Sequence, residues 1–298
     1  MDTTPILPDE LIQLAMRFFD EHTHKPISIN PDVLAYRWVG GERGHLAPLD
    51  VMFGVDLEDL IGIDDQKHKL IDNTLQFLAG LPANHVLMTG TRGSGKSSLM
   101  RALLKNYHQD GLRIIEVSRD DLLHLGKIRQ AIKKSHHHNN PNRYIVYCDD
   151  LAFNTEDENY RTLKSILDGA LDSEQEHLLV YATSNRRHLL PQTMKDNVNI
   201  YNGQTDEINP YETIDETVSL SDRFGLWLSF HPMNQTTYLN IVKNYLEKQG
   251  LTMNDDTRQA ALTWAGNRGG RSGRIAHQFS RHWVGQQQLT HLNKNKHH

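Results

Sequence analysis

Gly90-Thr91-Arg92-Gly93-Ser94-Gly95-Lys96-Ser97-Ser98 is a glycine-rich stretch that follows the apolar run His85-Val86-Leu87-Met88-Thr89. It matches the pattern G-x-x-x-x-G-K-[ST] at every fixed position. The glycines let the backbone curl so that successive N–H groups point at one anion, while Lys96 supplies a cation and Ser97 a hydroxyl for Mg²⁺. A helix that starts at Lys96 directs its positive end at the same anion. Residues 90–98 are therefore predicted to bind the phosphates of a nucleotide.

The composition is typical of a soluble globular protein of one or two domains. Of the 298 residues, 38% are hydrophobic and 23% charged, and no stretch approaches the roughly 18 apolar residues of a membrane helix. The start of the chain, Met1-Asp2-Thr3-Thr4-Pro5, lacks a secretory signal pattern, and Cys148 is the only cysteine, so we expect a reducing, cytoplasmic location. A net charge of −5 gives no overall basic surface, so contact with nucleic acid would have to be local.

Short apolar segments alternate with helical patterns between residues 85 and 230, which is typical of an α/β fold. Helices that cross over between successive strands imply a mainly parallel sheet covered on both faces. We therefore predict a five-stranded parallel sheet flanked by helices. The predicted strands are 85–89, 112–117, 143–148, 178–183 and 226–230, and the helices between them are 96–107, 120–134 and 158–171.

The chain is predicted to have three regions: an N-terminal helical extension (1–55), an α/β nucleotide-binding core (56–231) and a C-terminal helical lid (232–298). The catalytic motifs lie in the core and the lid, so partner specificity is expected in the extension and in a polar insertion at 196–217. Apolar residues at helical spacing predict further helices in all three regions. They are 9–21 in the extension, 64–79 in the core, and 235–249, 255–265 and 272–288 in the lid.

A second motif, Tyr144-Ile145-Val146-Tyr147-Cys148-Asp149-Asp150, is an apolar strand that ends in two carboxylates and reads as a Walker B element. Ligands of an α/β sheet bind outside the carboxyl ends of its strands. This pair is therefore predicted to lie beside residues 90–98, the phosphate loop. We assign Asp149 to Mg²⁺, through water, and Asp150 to orienting the attacking water. The alternative is a solvated Asp-Asp turn. Asn185, just past the next strand, is the candidate sensor of the γ-phosphate, with the alternative that it only caps a helix starting at Arg186.

Arginines near the last strand and at the start of the third lid helix complete the candidate site. Arg223 precedes the strand 226–230 on the flank of the domain and suits an arginine finger that completes a neighbouring subunit's site. Its alternative is a salt-bridged surface residue. Arg274, or less favourably Arg271, is placed to reach the γ-phosphate from the lid.

These elements, in this order, resemble the AAA+ ATPases over about residues 57 to 290, and most closely an uncharacterised bacterial family of predicted AAA+ ATP-binding proteins with a domain of unknown function. The resemblance implies ATP or ADP with Mg²⁺ as ligands, Leu60, Ile61 and Gly62 against the adenine, and a homo-oligomer. Besides the motifs above, it rests on Leu60-Ile61-Gly62-Ile63-Asp64, Ala182-Thr183-Ser184-Asn185-Arg186-Arg187-His188-Leu189, Ser219-Leu220-Ser221-Asp222-Arg223-Phe224-Gly225-Leu226 and Arg271-Ser272-Gly273-Arg274.

One departure from the AAA+ pattern affects mechanism. Most AAA+ proteins have Glu where this chain has Asp150, and the missing methylene draws the carboxylate back from the water. The leading hypothesis is therefore a slow ATPase that remodels or assembles a macromolecular partner. One alternative is a nucleotide-dependent switch or loader, for which DNA is one candidate partner. Another is a small-molecule kinase, for which the sequence supplies no acceptor pocket.

Overall fold

The sheet of this protein has seven strands in the part of the chain that the structure describes. A computed structural model describes residues 27–137, 140–151, 163–164, 167, 177–185 and 223–295. The strands are β1 Ala35–Val39, β2 His45–Pro48, β3 Val86–Gly90, β4 Leu112–Glu116, β5 Arg143–Cys148, β6 Leu178–Ser184 and β7 Leu226–Phe230. They lie in the order β2-β1-β4-β5-β6-β3-β7, and all neighbouring pairs are parallel except β1 with β2.

Alternate side chains of these strands enter two separate apolar cores, one on each face of the sheet. Leu87 packs in the core formed with helix α3 (Leu125–His137), whereas Val86 and Met88 pack in the core formed with α1 (Asp64–Leu78) and α2 (Lys96–Tyr107). Because side chains of a strand alternate between faces, an uninterrupted apolar run is what a strand buried on both sides requires. The helices are α1 Asp64–Leu78, α2 Lys96–Tyr107, α3 Leu125–His137, α4 Gln235–Glu247, α5 Asp255–Gly266 and α6 Gly273–Asn295.

The predicted α/β fold class is confirmed, and all five predicted strands are present, each within one residue of its expected bounds. The sheet nevertheless has two more strands than expected, both within the predicted N-terminal helical extension. β1 pairs in parallel with β4, with Ala35 opposite Ile114, and β2 pairs antiparallel with β1. Residues 35–48 are therefore part of the core sheet and not of a helical region.

The hairpin was not predicted because its two strands are short and half exposed. Tyr36 and Trp38 are buried while Arg37 and Val39 face solvent, a period of two that is typical of a strand covered on one face only. Gly40 and Gly41, which join the strands, have φ values of 102° and 57°. Two glycines between alternating residues are a hairpin signal that could have been read from the sequence.

The three lid helices pack around a third apolar cluster, which includes Tyr238, Val242, Ala261 and Phe279. Ile61 from the core packs against this cluster, so the lid (α4–α6) is seated on the residues that precede α1. Among the described helices, none is long and apolar enough to cross a membrane. The helix predicted at 9–21 and the insertion at 196–217 lie outside the described residues, as does the helix predicted at 158–171 except for Leu163, Lys164 and Leu167.

Candidate functional site

A cleft of about 710 Å³ lies between the carboxyl ends of the central strands and the lid. A volume of this size suits a small-molecule ligand. The phosphate loop and the ends of β5 and β6 form one wall, and α4 and α6 form the other. The residues that line it are Gly54, Val55, Asp59, Leu60, Ile61, Ile63, Arg92, Gly93, Ser94, Gly95, Lys96, Ser97, Ser98, Arg101, Asp149, Asp150, Thr183, Asn185, Met233, Ile241, Tyr245, Gly273, Arg274 and His277.

The phosphate loop is held between the sheet and the lid by close backbone contacts that only glycine allows. Gly90 has a φ of 133°, and a Cβ atom there would lie 2.0 Å from the carbonyl oxygen of Phe230 in β7. Gly93 has a φ of 74°, and its carbonyl accepts the N–H of Gly273 at the start of α6, at 2.9 Å. The lid therefore contacts the phosphate loop directly.

Lys96 lies almost fully buried at the start of α2, with its ammonium over the phosphate loop. Its Nζ donates to the carbonyl oxygens of Gly90 and Thr91, at 2.7 and 3.0 Å, and to Oδ1 of Asn185 at 3.3 Å. Burial lowers the pKa of Lys96, and the nearby carboxylates of Asp149 and Asp150 act in the opposite direction. A phosphate oxygen at this position would be a stronger hydrogen-bond acceptor for the buried ammonium than the neutral carbonyls are.

Ser94 provides an independent test of whether the loop fits phosphates. Its hydroxyl is buried, lines the cleft and has no hydrogen-bond partner in the described part of the chain. Buried polar atoms are almost always paired, so an unpaired hydroxyl inside a loop of this geometry is the expected state of a donor whose acceptor is a ligand oxygen. The loop residues therefore fit a nucleotide.

Ser97 and Asp149 are the predicted Mg²⁺ ligands, and they are in contact. The Ser97 hydroxyl donates to both carboxylate oxygens of Asp149, at 3.2 Å each. Within the described ranges, no group of three or more His, Cys, Asp or Glu side chains could hold a metal ion. Mg²⁺ needs only one or two protein oxygens when substrate phosphates and water complete its octahedron, so this pair fits the ion.

Asp150 and Asn185 face one another across the ends of β5 and β6. Asn185 Nδ2 donates to Oδ1 of Asp150 at 2.6 Å, while its Oδ1 accepts from Lys96, so one amide contacts both the cation and the carboxylate. Asp150 has a φ of 56°, the left-handed region, where Asp is among the few side chains tolerated. Arg92 Nη2 lies 3.3 Å from its Oδ2. The alternative role of Asn185 involves Arg186, which lies outside the described residues.

Arg223 lies away from this cleft. It precedes β7, which runs parallel to β3 with Leu226 opposite Val86 and Phe230 opposite Gly90. A five-residue strand spans about 13 Å, so Arg223 is at the far end of β7 from the phosphate loop. It does not line the cleft of its own chain.

The two candidate lid arginines lie on different sides of the phosphate loop. Arg274, in the first turn of α6, lines the cleft beside Gly93. Arg271 lines a separate cavity of about 720 Å³ with Thr91 and Arg92, and its Nη1 lies 3.5 Å from Oε1 of Gln235.

Of the predicted adenine-side residues, Leu60 and Ile61 line the cleft, and Gly62, which follows them, packs against the lid. Gly62 has a φ of 80°, and a Cβ atom there would lie 2.5 Å from the Thr237 side chain of α4. The opposite wall was not predicted from the sequence. It includes Tyr245 and His277, whose rings lie 5.0 Å apart, and burial lowers the pKa of His277.

Asp59 ties this end of the cleft to the lid. Its carboxylate accepts from Asn244 Nδ2 at 2.9 Å, forms an ion pair with Lys248 of the lid, and accepts the N–H of Asp56 at 3.1 Å. Burial acts to raise the pKa of Asp59, but hydrogen bonds from Lys248, Asn244 and the Asp56 N–H outweigh it, and the pKa lies below its usual value. No local sequence pattern indicates the contacts of Asp59 with the lid, because Asn244 is 185 residues away along the chain and Lys248 lies beyond it.

Sequence reasoning also missed Tyr147 and Thr183, whose hydroxyls both contact Asp149. Each lies on a buried strand, two residues before a predicted site residue. Buried polar side chains in otherwise apolar strands require hydrogen-bond partners, and that signal could have identified both.

Several solved structures have a similar arrangement of the chain. They include RuvB of Thermotoga maritima, described as a Holliday junction branch migration motor (TM-score 0.45, 16% identity, 76% of this chain and 63% of that chain). Others are Orc1 of Aeropyrum pernix in complex with DNA (0.48, 13%, 74% and 61%) and AMPPCP-bound DnaA of Aquifex aeolicus (0.45, 17%, 74% and 62%).

This chain spans less than two thirds of the length of each of these proteins. Similarity at 13–17% identity concerns the fold alone, and not the activity or the partners of these proteins. No curated protein matches the chain. Residues 31–287 match the family described as "Protein of unknown function (DUF815)", and this match covers the hairpin, the phosphate loop, the sheet and most of the lid. The chain therefore belongs to the DUF815 family.

Proposed function

We propose that this protein binds ATP in the cleft between sheet and lid and hydrolyses it at an interface between subunits. One observation carries the proposal: Asn185 contacts both Lys96 and Asp150, while Ser97 contacts Asp149. A cation, two carboxylates, a hydroxyl and an amide thus converge at the ends of β3, β5 and β6. This is the set of groups that phosphoryl transfer to water requires.

Each group has a distinct role in the proposed reaction. Lys96 gives up its contacts with loop carbonyls and neutralises the β- and γ-phosphate oxygens of ATP. Asp150 orients the water whose oxygen bonds to the γ-phosphorus as the bond to the β-phosphate oxygen breaks, and Asn185 holds Asp150 and senses the γ-phosphate. Ser97 and Asp149 hold Mg²⁺, which offsets charge on the phosphates when bound. Arg274 reaches the same phosphates from the lid.

The neighbouring subunit supplies Arg223 in this proposal. Because Arg223 is at the far end of β7 from its own phosphate loop, its guanidinium would serve the site of another copy of the chain. An arginine inserted from a partner neutralises charge that develops in the transition state. We therefore propose a homo-oligomer that acts in the cytoplasm to remodel or assemble a macromolecular partner.

A second candidate function, a nucleotide-dependent switch with weak hydrolysis, is favoured by the position of Asp150. Its short side chain is engaged by Asn185 at 2.6 Å and by Arg92 at 3.3 Å. With both of its oxygens engaged, the Asp150 carboxylate is drawn away from the attacking water beside the γ-phosphate, and hydrolysis is expected to be weak. The net charge of −5 does not favour nucleic acid as the partner of either function.

Nucleotide binding is tested first with Lys96→Ala. Loss of a charge-assisted contact with phosphate should weaken ATP binding about tenfold or more, measured by titration calorimetry in the presence of Mg²⁺. Lys69→Ala is the matched control, because Lys69 pairs with Asp65 on the exposed side of α1 and does not line the cleft. Equal ATP affinity in Lys96→Ala and the wild type would contradict the proposed site.

A further inference from the structure

We propose that Thr183 is a positioning residue for ATP hydrolysis, whose hydroxyl fixes the orientation of both aspartates of the Asp149-Asp150 pair. This inference rests on the proposed function. Thr183 lies in β6, is 1% exposed, and faces the side of the sheet on which α2 begins.

The Thr183 hydroxyl makes two hydrogen bonds of opposite sense. It donates to Oδ1 of Asp149 at 2.5 Å and accepts the backbone N–H of Asp150 at 2.9 Å. A hydroxyl has one proton and two lone pairs, so both bonds can form at once. One buried atom therefore links the two candidate catalytic carboxylates across two neighbouring strands.

The bond to Asp149 makes the two oxygens of that carboxylate unequal. Oδ1 accepts from Thr183, from Tyr147 at 2.9 Å and from Ser97 at 3.2 Å, whereas Ser97 is the donor described for Oδ2, at 3.2 Å. Ser97 would leave both oxygens when its own oxygen turns to Mg²⁺. Thr183 and Tyr147 would then still hold Oδ1, and Oδ2 would face the ion.

Tyr147 supports Thr183 because its buried hydroxyl donates to the same oxygen of Asp149, at 2.9 Å. Two neutral donors on one oxygen fix the carboxylate without cancelling the charge that Mg²⁺ needs.

The bond to the Asp150 N–H acts on the backbone. Asp150 has a φ of 56°, a conformation that persists only where surrounding contacts determine it. The Thr183 oxygen fixes the peptide that leads into this residue, and the Leu151 N–H donates to the Thr183 carbonyl at 2.6 Å on its other side. The direction in which the Asp150 side chain points is thus set by Thr183 from both ends.

A purely structural role would not call for a hydroxyl at this position. Valine has nearly the same shape and favours strands, and a buried hydroxyl costs free energy unless it is hydrogen-bonded. Thr183→Val removes only the hydroxyl, and Thr183→Ser keeps it. Thr89→Val is a matched control, because Thr89 is a buried threonine at the end of the neighbouring strand whose hydroxyl accepts from Trp227 on the other face of the sheet.

The test measures ATP turnover, ATP affinity and the Mg²⁺ concentration that gives half-maximal turnover in these variants of the full chain. Thr183→Val should lower turnover by about ten- to a hundredfold, the change expected on losing a hydrogen bond to a charged group, and raise the Mg²⁺ requirement, with ATP affinity within about threefold of wild type. Thr183→Ser should keep at least half of the wild-type turnover, and Thr89→Val should keep both turnover and Mg²⁺ requirement.

Three outcomes separate this inference from the proposed function. Absence of ATP turnover in the wild type would refute the proposed function itself. If Thr183→Val keeps the turnover and the Mg²⁺ requirement of the wild type, the role of Thr183 is overturned while the proposed function stands. Equal losses in Thr183→Val and Thr183→Ser would also overturn it, because the hydroxyl would then not be the cause. If Thr183→Val does not fold, Thr183→Ala removes the same hydroxyl without an apolar methyl against Asp149, and the same criteria apply.

Discussion

Single residues at the ends of β5 and β6 set the chemistry of the candidate site. The sequence predicted Lys96, Ser97, Asp149 and Asp150 because their spacing is a property of the motif, and the structure brings them together. It did not predict that Arg92 would contact Asp150, because that contact depends on how the phosphate loop faces β5. Because Arg92 and Asn185 hold both oxygens of Asp150, the reach of its short side chain should limit the rate of ATP hydrolysis.

Replacing Asp150 with Glu should raise ATP turnover several-fold. The added methylene extends the carboxylate beyond its contacts with Asn185 and Arg92, toward the position of the attacking water. The measurement is steady-state phosphate release at saturating ATP and Mg²⁺. Asp150→Asn, which also tolerates the left-handed backbone, should abolish turnover while binding ATP. Because Glu is less tolerated than Asp in the left-handed region, the free energy of unfolding of the Glu variant is measured beside its turnover. A Glu variant of wild-type stability that is slower than wild type would indicate that the side-chain length is not what limits hydrolysis.

At the level of elements, the sequence predicts strands with a continuous apolar run well and strands with a short alternation poorly. The run from Tyr144 to Cys148 is apolar throughout because both of its faces are covered, and its bounds are predicted to the residue. The strand Ala35–Val39 is covered on one face and shows only a short alternation. Contacts between elements, such as Asp59 with Lys248, leave no local pattern in the sequence because the packing of distant helices creates them.

The junction of β3 and β6 should make stability depend on pH through His85. Its Nδ1 accepts the Val180 N–H at 2.9 Å, and burial, with a contribution from the cation of Arg129, lowers its pKa from 6.5 to about 4. The folded state thus binds the proton less well than the unfolded state. Neutral His85 therefore contributes to the free energy of unfolding. This contribution is fully present above pH 6.5 and is lost as the pH falls toward 4, by roughly 3 kcal/mol in total.

Urea unfolding at pH 7 and pH 4.5 measures this effect. His85→Asn keeps an acceptor for the Val180 N–H but cannot titrate, so its free energy of unfolding should fall less than that of the wild type over this interval. An equal decrease in the free energy of unfolding of the variant and the wild type would show that other groups account for the acid sensitivity.

At the scale of the whole molecule, most of the predicted site residues line the cleft, whereas Gly62, Gly90, Thr91, Arg271 and Arg223 do not. The register of β7 on β3 places the chain segment that leads into Leu226 at the edge of the sheet opposite the phosphate loop. One chain therefore has the candidate nucleotide cleft at one end of its sheet and a candidate arginine finger at the other. Copies arranged head to tail would bring these two ends together, a heterologous contact that forms rings or open assemblies.

Mixing two inactive variants tests this account most directly. Arg223→Ala and Asp150→Asn should each bind ATP and assemble, as checked by light scattering, yet neither should hydrolyse ATP. In an equimolar mixture, about a quarter of the interfaces combine an intact Asp150 with an intact Arg223 from the neighbour, so about a quarter of wild-type turnover should return. No recovery in mixed assemblies, or full turnover by Arg223→Ala alone, would contradict hydrolysis at a shared site.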